Sequence, residues 1–175
     1  MDLDMTDADI LASLVAFDHA IGQAGRPDTP WRALHQLADR LVGARLFTVM
    51  TVDKVNERAG RVFSSDPKSY PVSGTKPIRY DSWFEIVHTQ RRPFVANTIA
   101  EIAKVFPDHE TIWSLGCGSV INWPIEIGGD MVGTVNLLDV EHYYTAERVA
   151  RCRHLSLAAQ TSFLAAAYLE RTTGH

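Results

Sequence analysis

Cys117 stands between Gly116 and Gly118. Two flanking glycines predict a mobile, partly exposed thiol, and a thiolate held in such a place can act as a nucleophile or a redox sensor. A second kind of chemistry resides in two amides. Asn122 and Asn136 interrupt runs that are otherwise apolar, and burying an amide without a partner costs about 2–7 kcal/mol. Each needs loop backbone, the other amide, water or a ligand. Side chains alternate along a strand, so Val120 and Asn122 share one face of their segment, and Thr134, Asn136 and Leu138 share one face of theirs. The expectation is that Val120, Asn122, Thr134 and Asn136 face a cavity, with Val135 and Leu137 turned toward helices. Trp83, Phe84 and Trp113 are aromatic residues that could line a largely apolar pocket or fill a core. Tyr80 and His88 offer polar contacts, and Arg79 either receives an anion or stands in solvent.

Other chemistries lack their pattern. The seven histidines form no helical i, i+4 pair, and no Cys-x-x-Cys is present, so no metal site is expected. Cys152 and His154 are two apart on a helix and diverge; His142 lies in the turn before it. Cys152 falls on an apolar helical face and reads as core. Gly128-Gly129 sits between two strands, not at a strand-to-helix turn that would cradle phosphate. No Ser-His-Asp set is legible from spacing.

These residues depend on the following elements. Thr6 with Asp9 makes a capping box, and Ile10, Leu14, Phe17 and Ile21 follow at helical spacing. Thr29-Pro30 starts a second helix with Trp31, Leu34, Leu37, Ala38 and Leu41 as its stripe. Residues 46–52 and 61–65 read as a hairpin with its turn at Ala59-Gly60, and 66–79 as an extended loop ending in a short edge strand. Ser82 and Glu85 predict another capping box, for a helix reaching Gln90; Phe94–Ala96 is a short strand. Short helical pieces over 98–116 precede strands at 118–127 and 131–138, joined by a Gly-Gly turn. Pro124 should mark where its strand leaves the ladder or bulges. Thr145 caps a helix of about 25 residues, roughly 38 Å long, with Val149, Cys152, Leu155, Ala159, Phe163 and Ala166 on one face.

The fold class is therefore α+β, with a central antiparallel sheet. The terminal helices should cover one face, and the 66–116 segment should roof the other and leave a cavity. The length of 175 residues suits a single domain over 1–175, with 1–28 as an N-terminal helix and 29–170 as the core. The net charge of −4 and the lack of a basic run argue against a nucleic-acid binder. Two cysteines suit a reducing compartment. The acidic N-terminus is unlike a signal peptide, and no apolar run is long enough for a membrane span. A cytoplasmic location is expected.

The stretch from Ser119 through Trp123, Pro124, Gly128-Gly129, Gly133 and Leu137 to Asp139, followed by Tyr144-Thr145, Glu147 and a long apolar helix, resembles the GAF family of small-molecule-binding domains over roughly residues 30–170. The resemblance implies a sheet of five or six strands, a helical layer on one face, a ligand cavity on the other, and a homodimer formed through the terminal helices. A GAF-fold enzyme that reduces free methionine sulfoxide is similar only in part. Its cysteine lies further from the strand serine than Cys117 does from Ser119, and its acidic positions correspond to Val120, Asn136 and Leu138. The branch that attaches a tetrapyrrole pairs its cysteine with a histidine, which Cys117 lacks.

The leading expectation is a stand-alone sensory module that binds an unknown small molecule, with Tyr80, Trp83, Phe84, His88, Trp113, Cys117, Val120, Asn122, Thr134 and Asn136 at the site, and that signals to a separate protein. No cofactor is assigned. The alternatives are a small enzyme using Cys117 or the polar pocket residues, and a scaffold whose hollow is filled by its own side chains.

Overall fold

The computed structural model describes residues 5–72 and 74–173. By its internal contacts the chain divides into two compact units, one built from residues 1–43 and 151–175 and one from 44–150.

The first unit is helical. α1 (Asp7–Gly22) opens on the expected capping box: the Thr6 hydroxyl accepts the Asp9 N–H, and the Asp9 carboxylate accepts the Thr6 N–H. That bonding holds the Asp9 carboxyl below its ordinary pKa. Of the expected stripe Phe17 is buried and Ile10, Leu14 and Ile21 are half-buried, while Leu11 and Val15, outside that stripe, are exposed. In α2 (Thr29–Leu41) all five stripe residues are buried. Its cap is Asp28 rather than Thr29, because the turn begins one residue earlier; the Asp28 carboxylate meets Arg26 and Arg32 instead of the backbone.

The expected single C-terminal helix is three pieces: α6 (Ala146–Arg151), a 3₁₀ turn at Cys152–Leu155, and α7 (Ser156–Thr173). In a 3₁₀ turn residues i and i+3 eclipse, and this tighter register leaves Cys152 and Leu155 both fully buried. Thr145 caps α6 as expected, its hydroxyl accepting the Arg148 N–H. Within the helical unit Trp31 meets Phe163 edge to face at 5.0 Å, and the Ser162 hydroxyl donates to the Pro30 carbonyl.

The second unit is built on a six-stranded antiparallel sheet: β1 (Leu46–Asp53), β2 (Arg58–Ser64), β3 (Thr75–Pro77), β4 (Phe94–Ala96), β5 (Ser119–Ile127) and β6 (Asp130–Asp139), in spatial order β3-β2-β1-β6-β5-β4. The β1–β2 turn is tighter than expected. The Asp53 carboxylate accepts both the backbone and the side-chain N–H of Asn56 and closes the chain at once, so Ala59 and Gly60 lie in β2, opposite Val52 and Thr51. The Gly128-Gly129 turn has positive φ at both residues, 62° and 86°, the geometry that matches the twist of a hairpin. The β4–β5 pairing ends at Asn122, two residues short of Pro124. Between β3 and β4 lies α3 (Ser82–Phe84), which continues into a π-helical turn over Glu85–Thr89. The expected Ser82–Glu85 box is absent, because the Asp81 carboxylate takes the Phe84 N–H and makes Asp81 the cap. α4 (Ile99–Ala103), capped by Thr98 and Glu101, and α5 (His109–Ser114) precede β5.

Register aligns three rows of side chains on one sheet face. Leu46, Leu138 and Val120 make the first, Thr48, Asn136 and Asn122 the second, and Arg61, Met50 and Thr134 the third. The opposite face carries Phe47, Val49, Ile121, Val135 and Leu137, all fully buried.

Candidate functional site

A cavity of about 350 Å³ lies over the third row, within the roughly 300–1,000 Å³ span usual for small-molecule sites. The sheet supplies Met50, Val52, Ala59, Arg61 and Thr134. The β3–α3 segment supplies Lys76, Ile78, Arg79 and Asp81, with Trp83, Phe84 and His88 from the helix. The 105–108 loop and Tyr70 close another side.

Among the described residues, three polar atoms of this lining are buried with no hydrogen-bond partner: Thr134 Oγ1, Arg61 Nε and His88 Nε2. Thr134 is only 1 % exposed. A buried polar group left without a partner costs about 1–3 kcal/mol, so these three atoms are the costly points of the lining. The Arg61 guanidinium stacks 3.7 Å from the Tyr70 ring centroid and donates one N–H to the Pro71 carbonyl. Tyr70 in turn donates its hydroxyl to Asp108, and burial together with that carboxylate pushes the phenol pKa up. The His88 ring stacks on Phe84 at 4.2 Å. Burial lowers its pKa, with Lys54 and Arg91 adding to the effect.

Trp83, Phe84, His88 and Thr134 thus come together, and Arg79 joins them. Asn122 and Asn136 share the same sheet face but satisfy each other. Trp83 Nε1 donates to Asn122 Oδ1 at 2.9 Å, Asn122 Nδ2 to Asn136 Oδ1 at 2.7 Å, and Asn136 Nδ2 to the Thr48 hydroxyl at 3.1 Å. The amides form a closed chain beside the cavity and do not line it. Val120 is packed among apolar side chains. Tyr80 is 67 % exposed, with its hydroxyl on Glu57, and Trp113 is 55 % exposed; neither is in the lining.

The expectation for Cys117 is corrected. Its thiol is 0 % exposed, packed with Ile102, Ile112, Val120 and Leu138, and burial raises its pKa to about 11. The neighbouring glycine serves close packing, not mobility. A Cβ on Gly118 would lie 2.3 Å from Glu141 Cγ, and the Gly118 N–H is tied to the Asp139 carbonyl. Cys152 is core, as expected, with its pKa raised to about 12 by burial. Among the described residues no group of three or more His, Cys, Asp or Glu could hold a metal ion, and no helix is long and apolar enough to cross a membrane.

Sequence reasoning missed Arg61, Tyr70 and Asp108. Arg61 is a charged residue within a short apolar strand, and its face becomes readable only once the register with Met50 is known.

No protein-family model matches the chain, and no curated protein matches it in sequence. Solved structures do match in fold. The GAF domain of an Acinetobacter phosphoenolpyruvate-protein phosphotransferase superposes with a TM-score of 0.68 at 14% identity, over 98% of this chain and 100% of that one. The chain has the GAF fold. A GAF domain of a two-component sensor histidine kinase from Bacillus halodurans gives 0.63 at 17% identity, over 81% of this chain and 97% of that one. The chromophore-binding domain of the bacteriophytochrome RpBphP3 from R. palustris gives 0.64 at 11% identity, over 95% of this chain and 64% of that domain. At these identities the likeness to GAF domains is one of fold.

Proposed function

We propose that the chain is a small-molecule-binding regulatory module on the GAF fold, taking its ligand in the cavity over Arg61, Met50 and Thr134. The observation that supports this best is the Thr134 hydroxyl, buried in the cavity lining without a partner among the described residues. Structural neighbours drawn from a sensor kinase and a phytochrome agree with a sensory role. Occupancy would act on Trp83, which lines the cavity and bonds to Asn122, and so on the amide chain across three strands.

A homodimer through the helical unit belongs to the same reading. Leu11 and Val15 on α1, and Leu157, Leu164 and Tyr168 on α7, are exposed apolar residues, Leu157 at 74 %. Leu157→Glu is expected to convert a dimer to a monomer in sedimentation; a wild-type monomer would end this part of the proposal.

The binding reading is tested by a thermal-shift screen of metabolite classes on unfolded, washed and refolded protein. A ligand at a hundred times its Kd stabilises by about 2.7 kcal/mol, or roughly 5–10 °C for a chain of this size. The shift should vanish in Met50→Trp, which fills the cavity. No shift from any class, or one that survives the filled cavity, would overturn the reading.

A further inference from the structure

The proposed ligand site has a chemical bias that narrows what it can hold, and the following inference rests on that site being the receptor. Arg61, Met50 and Thr134 are direct register partners on β2, β1 and β6. Neighbouring strands lie about 4.8 Å apart, so Arg61 and Thr134 flank Met50 at roughly 10 Å between backbones, on the same face. Both side chains line the cavity, and each presents a buried polar atom without a partner among the described residues.

The Arg61 guanidinium is already fixed on two sides, by the Tyr70 ring and by the Pro71 carbonyl. Its Nε edge is left over. A guanidinium edge matches a carboxylate in two parallel hydrogen bonds, and fixing the side chain beforehand reduces the entropy lost on binding. A hydroxyl across the row can donate to the same anion. Lys76 and Arg79, exposed residues of the lining, add positive charge that steers anions inward.

Two features set a limit of one negative charge. Asp81 and Asp108 also line the cavity, the first bonded to the Phe84 N–H and the second to Tyr70. Their carboxylates would repel a dianion such as a phosphate monoester. At the start of α3 the Phe84 N–H is already answered by the Asp81 carboxylate. Apart from His88, whose ring stacks on Phe84, most of the remaining lining, including Met50, Val52, Ile78, Trp83 and Phe106, is apolar or aromatic.

We infer that the cavity takes a small organic monocarboxylate with an apolar or aromatic body, its carboxylate held between the free edge of Arg61 and the Thr134 hydroxyl, and its body against Phe84 and Trp83.

The test is calorimetric titration of refolded protein with four probes of matched shape: 3-phenylpropanoate, 3-phenylpropanamide, 3-phenylpropylamine and phenyl phosphate. The carboxylate is expected to bind at least about ten-fold more tightly than the amide, since a charged hydrogen bond is the difference between them. Arg61→Gln should remove that preference. Because Arg61 also packs on Tyr70, Thr134→Val provides a second variant that keeps the side-chain shape; it should weaken the carboxylate several-fold while leaving the amide's affinity within two-fold. Equal binding of amide and carboxylate would overturn the monocarboxylate assignment and leave the receptor reading standing. Tighter binding of phenyl phosphate would overturn it in favour of a dianion. Binding of none of the four would also overturn it, and the metabolite screen with Met50→Trp then decides the receptor reading independently.

Discussion

The same face of one sheet is finished in two different ways. At one end Leu46, Leu138 and Val120 are covered by Ile102, Ile112 and Cys117, with Phe94, Ile99, Phe106 and Leu115 packed around them. At the other end Arg61, Met50 and Thr134 face a hollow of about 350 Å³. Between the two runs the row of Thr48, Asn136 and Asn122, whose amides are closed on one another. The difference arises in what lies above. Residues 99–117 bring Ile102, Ile112 and Cys117 down onto the sheet, whereas α3 and the π-helical turn after it bring a flat pair, Phe84 on His88, and a tryptophan whose indole N–H is committed to Asn122. One end has the packing of a core, and the other has the lining of a cavity.

Shortening a side chain at each end would show the contrast most strongly. Ile102 is fully buried in the packed end, so Ile102→Ala is expected to cost about 2–5 kcal/mol in urea unfolding. Met50 already borders empty space, and Met50→Ala should cost less than about 1 kcal/mol because few contacts are lost. Equal losses would mean that the two ends are packed alike.

The amide row is the next test. Asn136→Ala removes the acceptor of Asn122 and the donor to Thr48, and should cost about 1–3 kcal/mol. Asn122→Ala should cost a similar amount, and the double variant less than the sum, since the two losses share one bond. Full additivity would break the claim that the row acts as a unit.

A further test is electrostatic. An unfolded thiol ionises near 9.0, while Cys117 and Cys152 do so at about 11 and about 12 when folded. Above pH 9 the unfolded chain therefore sheds protons first. The contribution is fully present below pH 9 and declines as pH rises, by at most about 1.4 kcal/mol per pH unit for each thiol. Urea midpoints should fall between pH 8 and pH 10. Iodoacetamide at pH 8 should leave Cys117 unmodified in the folded protein, and rapid alkylation would show that the packed end is open.

Much of this was legible in the residues. Asn122 and Asn136 stand out because amides in apolar strands need partners, and alternation places them on the face that carries Thr134. The Gly-Gly hairpin and the Thr6–Asp9 box are local signals and form where expected. What could not be read was non-local. Arg61 becomes a cavity residue through its pairing with Met50, and that pairing includes a one-residue shift beside Val49. Tyr70 and Asp108 meet across loops. Cys117 misled because glycines signal mobility when read alone, yet here Gly118 is small in order to admit Glu141. The competition between Asp81 and Ser82 for one helix start is decided by which side chain reaches the Phe84 N–H.

The borders of the sheet have a consequence for how the protein behaves at high concentration. β3 and β4, the outermost strands, are three residues each, and β3 carries Lys76 and Pro77. Beyond the reach of β4, the following stretch of β5 contains Pro124, which has no N–H to offer an incoming strand. Brief margins, a cation and prolines are the means by which natural sheets discourage neighbours from adding on. Growth of this sheet from molecule to molecule, the first step toward amyloid-like stacking, is therefore disfavoured at both margins.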